Sequence, residues 1–220
     1  MPHPFKTLAP NYNEAVQFGN SSGLNFITPK SAIHAYVVIS TWAQVEYSQL
    51  RFFVEVEGGP QEETAQRYFA ASSQREKSKL ISASTTKLSA PILGHLDGID
   101  SKIPRLERFR NKIAHWQPCS SPLKPHGISL RNPKLGKSPS KDGLRSVFFF
   151  PDDEMEEYIL SMRHAESAYF ALCLSVQYET ENDTEKTEQM LEMCQTYISA
   201  IDLPRQTNPA KIMTGFGGIY

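Results

Sequence analysis

Residues 32–56, AIHAYVVISTWAQVEYSQLRFFVEV, carry a long apolar pattern that decides the fold class of this chain. The pattern repeats every three to five positions, which places its members on one face of an α-helix. These members are Val38, Trp42, Val45, Leu50 and Phe53. Gly58-Gly59-Pro60 predicts the end of the helix, and Ser31 is its predicted N-cap.

Further helical patterns follow along the chain, at residues 61–69, 74–96, 100–115, 152–178 and 185–201. Pro91 interrupts the pattern at 74–96 and predicts a kink or a split there, whereas Asp97-Gly98 predicts a turn. Pro118 prevents the helix over 100–115 from continuing. A sum of four to six helices predicts an all-α fold of the helical-bundle type.

Residues 118–150 form a basic insertion rich in Pro, Gly and Ser between two predicted helices. Its apolar arms, 127–130 and 146–150, are predicted to pair as a small β-hairpin. A loop of this length inside a compact domain is usually functional or disordered. Its lysines could hold an RNA backbone electrostatically or could simply keep the loop soluble. The lysines in question are Lys134, Lys137 and Lys141.

Length and composition predict one helical domain over residues 31–203, with an arm at 1–30 and a flexible tail at 204–220. No run of 18 apolar residues is present, so no membrane span is expected. Three cysteines, Cys119, Cys173 and Cys194, give neither a disulfide framework nor zinc spacing. The sequence therefore predicts a cytoplasmic protein with no metal and no cofactor.

The charge of the chain is nearly balanced overall but unevenly distributed. The net charge is -1, which implies no general affinity for polyanions. Residues 105–145 contain ten Lys or Arg and two acids, whereas residues 152–192 contain twelve acids and two bases. One surface is therefore expected to be locally basic.

The segment LERFRNKIAHWQP, residues 106–118, contains the side chains best suited to chemistry. Arg110 is permanently charged and its fork-shaped guanidinium matches phosphate oxygens. His115 can give and take protons near neutral pH, and Asn111 can orient a substrate. These are the minimum groups for cutting RNA without a metal. An Arg and a His near a helix C-terminus are also what the helix dipole favours without any catalysis.

Arg110, Asn111 and His115 resemble the motif of HEPN-domain ribonucleases, in which an Arg and a polar residue precede a His by several positions. The resemblance covers roughly residues 31–180 and implies a HEPN-like helical bundle. It also implies a metal-independent endoribonuclease in a toxin or phage-defence role. Because HEPN motifs face each other across one cleft, it implies a homodimer.

The same resemblance makes RNA the expected substrate and an antitoxin or regulatory protein a further expected partner. Gln117 departs from one branch of the family. HEPN toxins that are neutralised by nucleotidyltransferase antitoxins carry a modified Tyr at this position, so that mode of neutralisation does not fit the chain. The alternative function is a catalytically silent HEPN-like dimer that binds RNA, a nucleotide or a partner protein; a purely structural helical adaptor is a third hypothesis.

Three neighbouring groups complete the predicted site. Arg108 and Lys112 either bind RNA or lie on a solvated face. Glu46 either pairs with Arg110 or lies at the edge of the apolar stripe and reaches water. Arg110 and His115 lie five residues apart, about 140° around an ideal helix. For both to point the same way, the helix must unwind near His115, as Pro118 would allow.

Overall fold

A computed structural model of the chain describes residues 29–119, 127–131 and 147–202. Residues 1–28 of the predicted arm, the predicted tail 204–220 and most of the basic insertion lie outside these ranges. Residues 29 and 30, predicted as part of the arm, belong to the first helix. Lys134, Lys137 and Lys141 are among the residues outside the description.

The described residues form seven α-helices, one 3-10 turn at Thr85–Lys87 and three short strands. The helices are α1 (Pro29–Glu57), α2 (Gln61–Ala70), α3 (Gln74–Ser84), α4 (Ala90–Asp100), α5 (Ile103–His115), α6 (Asp152–Thr180) and α7 (Thr184–Ala200). The strands are β1 (Gln117–Cys119), β2 (Gly127–Arg131) and β3 (Val147–Pro151). An all-α fold with a small β insertion is therefore confirmed.

The C-terminal end of α1 agrees with the sequence prediction, whereas its N-terminal end does not. Gly58 adopts a left-handed φ of 62°, and its N–H donates to the carbonyl of Val54 at 3.1 Å, which closes α1 as predicted. The prediction of Ser31 as N-cap is wrong. Ser31 lies inside α1 and is fully buried, so its hydroxyl serves a tertiary contact.

The pattern at residues 74–96 is split, as Pro91 predicts, but the split falls before the proline. Pro91 lies in the first turn of α4, where a missing N–H costs nothing. The predicted turn at Asp97-Gly98 is wrong, because α4 continues to Asp100. Gly98 serves packing, since a Cβ built there would lie 3.3 Å from the Cδ1 of Ile198 on α7.

The chain groups into two compact units. The described residues of the first unit are 29–34, 115–119, 127–131 and 147–152. Those of the second unit are 35–114 and 153–202.

The first unit contains an antiparallel sheet in the order β1-β2-β3. The predicted pairing of the insertion arms is confirmed, with Ile128 opposite Phe150 and Leu130 opposite Phe148. Strand β1 was not predicted from the sequence. It includes Pro118 at the edge of the sheet, where a missing N–H is tolerated. In the same unit Asp152 accepts a hydrogen bond from the Ser31 hydroxyl at 2.8 Å.

The second unit holds the main apolar core. Side chains from all seven described helices are fully or almost fully buried there, as the amphipathic patterns require. Among them are Phe52, Phe53, Tyr68, Ile81, Ile92, Ile99, Ile103, Leu106, Phe109, Tyr158, Met162 and Leu172. Three alanines of α6, Ala165, Ala168 and Ala171, have no exposed surface, so neighbouring elements approach the α6 backbone closely.

A chain of polar side chains crosses this core. The hydroxyl of Tyr169 donates to Asp100 at 2.6 Å and accepts from the Nε2 of Gln49 at 3.1 Å. The Oε1 of Gln49 accepts from Tyr68 at 2.8 Å and from the Nε2 of Gln74 at 2.9 Å. Buried polar groups that are paired in this way fix the register of the helices that carry them.

Replacing Asp100 with Asn is expected to change how stability depends on pH. Burial raises the pKa of Asp100, the hydrogen bond from Tyr169 opposes that rise, and the nearby Asp97 adds to it. A carboxyl pKa that is raised on folding contributes stability below its unfolded value, and this contribution is lost as pH rises through the folded value. The wild-type chain should therefore lose stability as the pH rises from the unfolded pKa of Asp100 through its folded pKa. The Asp100→Asn variant should not show this loss.

Urea unfolding of both proteins between about pH 4 and about pH 8 measures this difference. Asp202→Asn, at an exposed position, is the matched control and should change the pH dependence little. Parallel pH profiles for wild type and Asp100→Asn would contradict the expectation.

Candidate functional site on helix α5

Helix α5 is fixed by one apolar face. Ile103, Leu106, Phe109 and Ile113 recur at three- and four-residue spacings and are buried. Phe109 stacks on Tyr158 with the ring centroids 3.7 Å apart and the planes 5° from parallel. These contacts set the rotation of the helix and therefore the directions of its polar residues.

Arg110 lies at the edge of the buried face and is half-buried. Its guanidinium carbon lies 5.3 Å from the centre of the Trp42 ring, which is cation–π distance. Its Nε is buried and finds no acceptor among the described residues, and no ion pair of Arg110 exists there either. The charge of Arg110 is thus partly desolvated and not neutralised by a carboxylate.

The predicted pairing of Glu46 with Arg110 is wrong. Glu46 instead forms an ion pair with Lys77 at 2.7 Å, and Lys77 also lies 4.9 Å from the ring centre of Tyr68. The alternative, that Glu46 reaches water, holds in part, because 30% of its side-chain surface is exposed. Lys77 on α3 supplied the counter-charge, and nothing in the spacing of the sequence connects residue 77 with residue 46.

The other predicted residues lie on the polar face of α5. Arg108 and His115 are exposed, and Asn111 and Lys112 are half-buried. Their three- and four-residue spacings place these four side chains on one side of the helix. Because α5 remains helical to His115, the unwinding that would let Arg110 and His115 point the same way does not occur. Arg110 and His115 therefore leave α5 about 140° apart.

Lys112 and Glu154 each affect the pKa of the other. Burial lowers the pKa of Lys112, Glu154 opposes that shift, and Arg108 adds to it. The pKa of Glu154 is raised by burial and by Glu157 and Asp153, while Lys112 and Arg105 act against the rise. Lys112 is thus less available to phosphate than the exposed Arg108.

An open groove of about 550 Å³ lies between α4 and α7, away from the motif. Its lining residues are His95, Glu188, Leu191, Glu192, Gln195 and Thr196. His95 is held by its Nδ1, which donates to the carbonyl of Pro91 at 2.7 Å. None of the residues predicted to act on RNA lines this groove.

Trp42 is the residue that sequence reasoning missed. Its place in the apolar stripe of α1 predicts only a core side chain, and 2% exposure confirms that it is buried. Its contact with Arg110 joins residues 68 positions apart, so helical spacing gives no signal of it.

Comparison with protein-family models, curated proteins and solved structures finds no match to this chain. The resemblance to HEPN ribonucleases rests on Arg110, Asn111 and His115 and on the helical fold around them. No described helix combines the length and apolar character needed to cross a membrane.

Proposed function

We propose that this chain is a metal-independent endoribonuclease of the HEPN type, with a toxin or phage-defence role. One observation carries the proposal: the half-buried guanidinium of Arg110 has no carboxylate partner in the described chain. A partly desolvated cation gains most from an anionic ligand, because its charge is poorly screened there. The phosphate of an RNA backbone is such a ligand.

In the proposed reaction the 2′-hydroxyl of RNA attacks the adjacent phosphorus. The bond from the 2′-oxygen to phosphorus forms, and the bond from phosphorus to the 5′-oxygen breaks. One histidine takes the 2′-proton and another gives a proton to the 5′-oxygen. Arg110 stabilises the charge on the non-bridging oxygens, and Asn111 orients the phosphate. The products are a 2′,3′-cyclic phosphate and a 5′-hydroxyl.

The proposal requires two copies of the chain. Each α5 carries one histidine in the motif, and that histidine leaves the helix about 140° from Arg110. A two-fold homodimer would present two motifs to one RNA, so that Arg110 of one subunit could act with His115 of the other. Sedimentation at concentrations used for cleavage measures this requirement, and a monomer that cleaves RNA would contradict it.

Cleavage of labelled RNA in EDTA tests the proposed activity. We expect His115→Ala to lower the rate by about 10² to 10⁴ and Arg110→Ala by about 10² to 10³. His95→Ala and Arg75→Ala are the matched controls and should cleave like wild type, because both residues lie on other helices. Equal cleavage by all five proteins, or none by the wild type, would sink the proposal.

The 140° separation favours a second candidate, a catalytically silent HEPN-like dimer that binds RNA, a nucleotide or a partner protein through Arg110. This candidate predicts salt-dependent RNA binding that Arg110→Ala weakens and His115→Ala leaves unchanged. Filter binding with the same variants, alongside the cleavage assay, separates the two functions. Expression of wild type and His115→Ala in cells then tests for a growth defect that depends on cleavage.

A further inference from the structure

Arg110 and Trp42 share an unusual pair of unsatisfied donors. The Nε1 of Trp42 is buried and, within the described ranges, has no acceptor, as is true of the Nε of Arg110. Trp42 is 2% exposed, so its indole N–H is shielded from bulk water. Two buried N–H groups lie on side chains that touch, and each calls for an oxygen.

The surrounding residues do not supply that oxygen. Glu46, one helical turn after Trp42 on α1, is held by Lys77 at 2.7 Å. The hydrogen bonds of Tyr68, of the Nε2 of Gln74 and of Tyr169 are made to partners other than Trp42 and Arg110. The Oε1 of Gln74 is also buried without a partner, but Trp42 and Arg110 carry their unpaired N–H groups on side chains that contact each other.

We propose that Trp42 is the positioning residue for Arg110 and that the two form a receptor for a tetrahedral oxyanion. The indole face holds the guanidinium plane in one orientation. This orientation spares Arg110 the entropy of ordering when the anion arrives. The unsatisfied N–H groups then gain an oxygen acceptor, directly or through a water that the anion retains.

This inference rests on the proposed function for its biological ligand, the RNA phosphate, but it adds a residue and a property that the motif lacks. Inorganic phosphate should bind without any RNA. The receptor should also lose affinity when the indole is changed, even if Arg110 is intact. A Trp42 with a purely structural role would lower stability and leave phosphate binding unchanged.

Tryptophan fluorescence provides the test, because the chain has two tryptophans. In the Trp116→Phe variant only Trp42 emits, and inorganic phosphate is titrated at constant ionic strength with chloride as the balancing anion. We expect a saturable change in Trp42 emission that chloride does not produce. Adding Arg110→Gln to this variant should abolish the change, and adding Arg75→Gln should preserve it.

A second experiment measures phosphate binding without relying on tryptophan fluorescence. Phosphate is titrated by calorimetry into wild type, Trp42→Phe and Trp42→Leu, each shown to be folded by circular dichroism. Trp42→Phe keeps a weaker ring face and loses the N–H, whereas Trp42→Leu loses both. We expect a graded loss of affinity that reaches about tenfold or more for Trp42→Leu. If Trp42→Leu does not fold, Trp42→Phe and the fluorescence arm still decide.

Two results would overturn the inference: an emission change that survives Arg110→Gln, or equal phosphate affinity in wild type and the Trp42 variants. The ribonuclease proposal can fail separately. If phosphate binding depends on both residues but the protein cuts no RNA, the phosphate receptor is supported and the ribonuclease proposal is rejected. If cleavage depends on Arg110 but not on Trp42, the ribonuclease proposal is supported and the receptor inference is rejected.

Discussion

Replacing Phe109 with alanine is expected to lower the free energy of unfolding by about 3 to 5 kcal/mol. Phe109 is 1% exposed and stacks on Tyr158 with the ring centroids 3.7 Å apart. The substitution removes a large buried surface and leaves a cavity that the neighbouring rings cannot fill by small shifts. Urea unfolding measured by circular dichroism gives the loss directly.

The matched control is Phe69→Ala, because Phe69 is 69% exposed and makes an edge contact with Tyr68. It should cost about 1 kcal/mol or less. Equal losses for the two variants would mean that Phe109 is not the residue that anchors α5. Because Arg110 follows Phe109 directly, loss of this anchor should also disturb the contact between Arg110 and Trp42.

Most of the helices could be predicted because their apolar residues follow a helical period and their ends carry strong signals. Gly58 and Pro118 stop α1 and α5 where the sequence indicates. The wrong turn at Asp97-Gly98 has a tertiary cause. A glycine that serves close packing against Ile198 looks, in a sequence, like a glycine that serves a turn.

The site was predictable only in part. Local spacing gave the angle that separates Arg110 from His115, because α5 is helical through both residues. It could not show which residues from other helices meet Arg110 or Glu46. The packing of α1 against α5 brings Trp42 to Arg110, and the packing of α1 against α3 brings Lys77 to Glu46. The spacing of residues within a single helix does not indicate these contacts.

Tyr169→Phe is expected to be the second large loss of stability, about 2 to 5 kcal/mol. The substitution conserves the buried ring and removes one oxygen atom. That oxygen donates to Asp100 at 2.6 Å and accepts from Gln49 at 3.1 Å, so two buried polar groups lose a partner at once. Each such group costs about 1 to 3 kcal/mol when left unpaired, and more if it is charged.

The loss should also depend on pH, and this dependence identifies its cause. The hydroxyl of Tyr169 holds the pKa of Asp100 down against the effect of burial, so its removal should raise that pKa further. A folded pKa that is raised further extends the pH range over which stability falls, so the deficit of Tyr169→Phe should be larger at neutral pH than in mild acid. Tyr47→Phe, at 58% exposure on α1, should show neither effect. A loss of stability that is the same at both pH values would indicate altered packing of the ring. It would contradict the expectation that the titration of Asp100 contributes to the loss.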